Sequence, residues 1–176
     1  DNPSNPNLGE MITSFEKIID EYFKAEDARF AIKIFTSGSV LDPRELPHEV
    51  LAKILNKLAK YDKKIVEIVL ESRPEYVNDK NLQMISEILN MKKVEIAIGL
   101  ESANDFYLRN SINKGFLWKD FVRAAKRVQK YKAKVKTYLL FKPPFLSELD
   151  AIIDIINSTK KVVELNIDTI SINAIS

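Results

Sequence analysis

The chain has 176 residues, 45% apolar and 30% charged, with a net charge of +2; that length holds one domain with a sizeable core, and the small charge creates no global field toward nucleic acid or membrane. It has no cysteine and one histidine, His48, which excludes disulfides, thiolate nucleophiles, thiolate-held clusters or zinc within these residues, and histidine-rich metal sites or triads. No apolar run approaches the ~20 residues of a membrane span, no signal-peptide pattern opens the chain, and the expected compartment is the cytoplasm.

In chain order, residues 1–7 are a polar stretch with two prolines, read as a loop in the middle of a longer chain because no initiator methionine precedes it. A helix fits 9–23, with Met11, Ile12, Phe15, Ile18, Ile19 and Tyr22 on one face. A strand follows at 29–36. Asp42-Pro43 opens a helix to about Tyr61, striped by Leu46, Val50, Leu51, Ile54, Leu55 and Leu58. The second strand is 65–70, a helix spans 79–91, and the third strand is 94–100, with an interior read as fully apolar. Ser102 to Asp105 resembles a capping box for a short helix. After Asn113-Lys114-Gly115 comes a longer helix carrying Trp118, Phe121, Val122, Ala125 and Val128. The fourth strand is 134–141. Ser147 caps a helix carrying Leu149, Ile152, Ile153 and Ile156, and the fifth strand is 168–173.

Regular strand–helix alternation implies parallel strands with helical crossovers. The carboxyl end of each strand carries a polar cluster: Thr36-Ser37-Gly38-Ser39, Glu71-Ser72-Arg73-Pro74, Gly99-Leu100-Glu101-Ser102, Lys142-Pro143-Pro144 and Asn173. A doubly wound sheet concentrates such residues at one switch point, whereas a parallel barrel or half-barrel uses the whole rim. The expectation is therefore an α/β barrel segment in one domain.

Each cluster also has a plain structural reading. Gly38 lets the backbone approach a ligand and frees amides to grip it, or it marks an ordinary turn. Glu71 and Arg73 reach the barrel mouth, or form a rim ion pair, with Pro74 forcing Arg73 extended. Glu101 suits a pair of sugar hydroxyls, or sits in the first turn of a helix. Lys114 holds an anion, or is a solvated loop cation. The two prolines after Lys142 stiffen the strand exit. His48 is expected to be exposed and without a role, and Trp118 to be core. The basic run from Arg123 to Lys136 contacts RNA phosphates, or is the solvated face of an amphipathic helix.

The segments FTSGSVLDPRELP, VLESRPEYV, IGLESANDFYLRNSINKG and YLLFKPPFL, in this order, resemble the radical S-adenosylmethionine superfamily, and within it the archaeal tRNA-modifying branch that forms archaeosine. The resemblance covers nearly the whole chain from residue 9. It implies a partial (β/α)6 TIM-like barrel over residues 1–176, strands two to six of the family barrel, with the first strand and cluster loop missing. Ser37, Gly38 and Ser39 stand where the family grips the amino group of S-adenosylmethionine, though the usual Gly-Gly-Glu is altered. Glu71 and Arg73 match a polar strand-end position, Glu101 and Ser102 the ribose contact, and Lys114 a cation that is often arginine. Thr137, Lys142 and Asn173 would complete the cofactor-binding set.

The family holds a [4Fe–4S] cluster on a CxxxCxxC loop, and this chain has no cysteine, so its ligands would lie outside the chain. The implied parent enzyme cleaves S-adenosylmethionine with an electron from that cluster. It then breaks a C–N bond in a lysine-bearing deazaguanine of tRNA, as a lyase working with tRNA and a partner enzyme that supplies the modified base. The fragment alone would be inactive. Two rivals remain: a non-catalytic cofactor- or RNA-binding βα module, and a cluster-independent barrel lyase using Lys114 or Lys142 as a Schiff base.

Overall fold

The computed structural model describes residues 8–24 and 28–174; the loop expected at residues 1–7 and the side chain of Met11 lie outside that description. The elements are α1 (Leu8–Tyr22), β1 (Phe30–Ile34), α2 (His48–Ala59), β2 (Ile65–Glu71), α3 (Asp79–Ile88), β3 (Val94–Glu101), α4 (Asp105–Asn110), α5 (Trp118–Lys130), β4 (Lys134–Phe141), α6 (Glu148–Glu164) and β5 (Thr169–Ala174). All four strand pairings are parallel, and the order is β1-β2-β3-β4-β5. An order without reversal keeps every right-handed crossover on the same face of the sheet, so the strands curl into half of a barrel rather than an open doubly wound sheet.

The strands have two distinct faces, because side chains alternate along them. Ile68, Leu70, Val94, Ile96, Ile98, Leu100, Val135 and Leu139 lie buried in one apolar core with Leu51, Leu55, Leu82, Ile85, Phe121 and Val128 of the helices. The intervening positions line the concave face, and many are polar: Glu67, Glu71, Glu95, Lys136, Tyr138, Ser171 and Asn173. Glu95 corrects the expectation of a wholly apolar third strand. It is 2% exposed and accepts a 2.6 Å bond from the Thr169 hydroxyl, which supplies the partner a buried carboxylate needs.

Two helices depart from the sequence reading, and a third turns its apolar stripe outward. α2 begins at His48 rather than Asp42, because the Asp42 carboxylate accepts from the Arg44 amide and Nε, both at 3.0 Å, and folds that stretch into turns. His48 is then half-buried rather than exposed. The short helix is capped by Asn104, which accepts from the Phe106 amide at 2.9 Å, not by Ser102.

In α6, Ser147 does cap, accepting from the Asp150 amide at 3.2 Å. However, Leu149, Ile152, Ile153 and Ile156 face outward, at 67%, 45%, 48% and 48% exposure. The inward face is Ala151, Asp154, Ser158 and Val162. The reason is local: α6 packs on the loop after β3, whose polar groups need partners. Ser158 accepts from the Ala103 amide at 2.8 Å, and Asp154 accepts from the Ser102 hydroxyl at 2.8 Å. Large apolar side chains there would orphan that amide and hydroxyl.

Burial pushes the Asp154 carboxyl above the ordinary aspartate range, against the pull of its bonds to Ser102 and Ser158 and of Lys161. The native state therefore holds this proton more tightly than the unfolded chain. Its stabilising contribution is complete below the ordinary aspartate range and is lost as pH rises through the raised native value. Thermal melts should show the stability difference between wild type and Asp154→Asn shrinking as pH rises from about 4 to about 7. A difference constant over that range would show that Asp154 does not titrate there.

Candidate functional site at the carboxyl edge of the sheet

A cleft of about 440 Å³ opens at the carboxyl edge of the strands, lined by Ser37, Gly38, Glu71, Ser72, Arg73, Gly99, Glu101, Lys114, Tyr138 and Asn173. Residues from all five strands or the segments directly after them, and Lys114 from the turn before α5, thus converge, as expected where ligands meet parallel strands. Volumes of about 300–1,000 Å³ are usual for small-molecule and cofactor sites.

The centre of the cleft is an ion pair. Lys114 Nζ donates to Glu101 Oε1 at 2.8 Å, with the two side chains 20% and 21% exposed. Glu101 ends β3 in the left-handed region at φ 69, and the β3–β4 register shifts between Gly99 and Glu101. A bulky residue held there carries local strain, which gathers at working sites. Gly99 makes room beneath the pair: a Cβ at that position would come within 2.9 Å of Glu101 Oε1 and 3.2 Å of Lys114 Nζ. Lys114 is presented by a turn between Asn113 at φ 53 and Gly115 at φ 80. Arg73 braces that turn, donating from Nη2 to the Lys114 carbonyl at 3.1 Å. Pro74 holds Arg73 extended, at φ −81 and ψ 151. Arg73 pairs with Glu75 at 2.5 Å and not with Glu71, so the rim-pair reading fails, while both side chains line the cleft.

Glu71 therefore faces the cleft with no salt-bridge partner among the described residues. Burial pushes its carboxyl above the usual glutamate range; Lys114 pulls it down and Glu101 pushes it up. The Tyr138 hydroxyl is likewise pushed up by burial and by Glu71 and Glu95, so it stays protonated and able to donate.

Four expected site residues lie off the cleft lining. Ser39 is buried, its hydroxyl 2.9 Å from that of Ser72, and it latches the loop after β1 to the end of β2. Ser102 is fully buried against Asp154. Thr137 is also buried and donates to the Ile98 carbonyl at 3.0 Å, because strand alternation turns it toward the helices. Lys142 is exposed and paired with Glu148. The amides of Gly38 and Ser39, expected to grip a ligand, instead donate to Glu45 Oε2 at 3.0 and 3.1 Å. Tyr138 was missed as a site residue. The period of the fourth strand could have found it, since core positions Val135 and Leu139 put Lys136 and Tyr138 on the other face.

Sequential parallel strands in a half-barrel, with a charged cleft at their carboxyl ends, define the class of ligand-binding barrel folds. Within that class, the chain belongs to the radical SAM superfamily, whose family model matches residues 6–156. Among curated proteins it is 43% identical over 168 residues to archaeosine synthase subunit beta of Methanosarcina acetivorans, covering 96% of this chain and 47% of that protein. It is 46% identical over 164 residues to archaeosine synthase subunit beta of Thermococcus kodakarensis, covering 93% and 50%. The chain thus spans about half the length of these relatives. The solved structure of Methanocaldococcus infernus Elp3 with an N-terminal deletion superposes with a TM-score of 0.68 at 16% identity, covering 93% of this chain and 41% of that one. That likeness shows the fold.

Removing the cation should expose the coupling in the cleft. In Lys114→Gln, Glu71 loses the charge that pulls its carboxyl down, so its pKa should rise further. Carboxyl-carbon NMR titration reads this directly, and an unchanged Glu71 curve would mean that Lys114 does not act on it.

Proposed function

We propose that this chain is the cofactor-positioning core of a radical S-adenosylmethionine enzyme that modifies tRNA, and that the reaction is the archaeosine-forming C–N cleavage. The observation that carries the reading is the charge arrangement of the cleft: two carboxylates, Glu71 and Glu101, beside two cations, Lys114 and Arg73. S-adenosylmethionine carries an ammonium, a carboxylate, a sulfonium and two ribose hydroxyls. Carboxylates suit the cationic centres and the hydroxyl pair, and the cations suit the carboxylate. Glu101 would accept from the ribose hydroxyls, Lys114 would hold the carboxylate, and Glu71 and Asn173 would flank the sulfonium side. Tyr138 would supply a flat wall with a hydroxyl donor. Bound there, the cofactor supplies hydrogen-abstraction chemistry at an unreactive C–H; the residues of this chain supply position and exclusion of water.

The residues present do not fit an iron–sulfur cluster, since the chain has no cysteine and, among the described residues, no group of three or more His, Asp or Glu is placed to hold a metal. Any cluster is held by residues outside this chain. The relatives named as subunit beta of archaeosine synthase support a tRNA substrate and a partner subunit. Among the described residues no helix is long and apolar enough to cross a membrane. The Schiff-base reading gains nothing from the structure: Lys114 is committed to Glu101 and Lys142 to Glu148, arrangements for a cation rather than a nucleophile.

Equilibrium binding of S-adenosylmethionine tests the assignment. Glu101→Gln should weaken binding about tenfold, the scale of one lost hydrogen bond to a charged group, while Lys142→Gln leaves it unchanged. Equal affinity in wild type and Glu101→Gln would remove Glu101 from the site. Failure of the cluster-loaded parent protein to cleave the cofactor would overturn the radical reading.

A further inference from the structure

The outer face of α5 carries charge that the cleft does not use. Lys119, Arg123, Lys126 and Lys130 recur at steps of four, three and four residues, which places them in one stripe along the helix. The opposite face of the helix, Phe121, Ala124, Ala125 and Val128, is buried. From Lys119 to Lys132 the sequence holds six cations and one carboxylate, although the whole chain nets +2, so the rest of the molecule is net acidic. The one carboxylate, Asp120, is already engaged, accepting from the Leu117 amide at 3.0 Å and lying 3.5 Å from Arg123. Arg127, beside the stripe, pairs with Asp79 at 3.3 Å. Among the described residues no carboxylate pairs with Lys119, Lys126 or Lys130.

Placement makes the stripe more than a solvated face. Its upper end, Lys119, lines a surface hollow with Arg109, Asn113 and Gly115. Asn113 and Gly115 flank Lys114 in the turn that delivers it to the cleft. The unneutralised charge therefore begins at the rim of the barrel mouth and runs down a rigid helix for about 17 Å, at about 1.5 Å per residue. A flexible acidic peptide gains little from such fixed, regular spacing, whereas a polyphosphate strand meets several cations in succession and releases counterions at each.

We propose that this face of α5 is a track for the phosphodiester backbone of the RNA whose target nucleotide is presented at the barrel mouth. The proposal rests on the tRNA reading above and adds the surface that holds the substrate. The cations position the backbone and carry no sequence information themselves.

The test is tRNA binding by the full-length parent protein across a salt series, comparing wild type with the triple variant K119Q/K126Q/K130Q. A second triple variant of exposed lysines on α1, on α2 and at the C-terminal cap of α2, K17Q/K53Q/K60Q, removes the same charge elsewhere. The stripe variant should lose at least tenfold in affinity near physiological salt. The magnitude of its log–log salt slope should fall by about 2–3, at ~0.7–0.9 per phosphate contact. Its melting temperature and S-adenosylmethionine affinity should match wild type. The α1–α2 variant should keep most of the affinity. A stripe variant with wild-type affinity and slope would overturn the track and leave the tRNA reading intact. Equal losses in both variants would overturn it in favour of diffuse attraction, and equally tight binding of polyglutamate would overturn it in favour of a general acidic partner. A wild-type protein that cleaves its cofactor but binds no tRNA would overturn the tRNA reading and the track with it.

Discussion

Strand alternation on a parallel sheet of sequential order is the constraint from which the rest of the molecule follows. Every second side chain enters the apolar layer under the helices, and every other one faces the hollow of the half-barrel. The apolar set, from Ile68 and Leu70 through Ile96, Ile98 and Leu100 to Val135 and Leu139, is almost wholly buried. Burial at about 25 cal/mol per Å² makes this set the main source of stability. Because the same sheet also carries Glu67, Glu71, Glu95, Lys136 and Tyr138, the core and the site cannot be separated. A one-residue slip would put carboxylates into the core and leucines into the cleft.

The cleft itself is organised by one bond across a gap of thirteen residues, from Lys114 to Glu101. It joins the end of β3 to the turn before α5, and Arg73 reaches from the end of β2 to hold that turn by its carbonyl. Three segments are thereby fixed around one hollow. Glu101 also sits in left-handed backbone, a conformation that costs energy for a residue with a side chain. The surrounding contacts hold it there, with its carboxylate at the centre of the cleft instead of in the first turn of a following helix.

α6 shows how a polar requirement can override an amphipathic pattern. Its isoleucines invite burial, yet the loop it must cover exposes the Ala103 amide and the Ser102 hydroxyl. The helix turns its small polar face inward to meet them, with Lys161 closing over the Ala103 carbonyl at 2.9 Å. The apolar stripe is left outward. Ser102, expected at the cofactor, belongs to this buried seam and supports the cleft from behind.

The amino-acid pattern alone specified the element order, the parallel half-barrel and the rim that carries the candidate site, because each depends on local periodicity and on which residues interrupt it. It brought Ser37, Gly38, Glu71, Arg73, Glu101, Lys114 and Asn173 to one cleft, since a residue at the carboxyl end of a strand has few other places to go. The folded arrangement sets which groups are left free in the cleft. Side-chain pairings set those facts: Glu45 on the nearby Gly38 and Ser39 amides, Arg73 with its near neighbour Glu75 rather than Glu71, and Ser102 with the distant Asp154. It also decided the facing of Thr137 and Tyr138, and of α6, because a side chain's direction depends on what packs beside it, and local sequence does not encode its neighbours in space.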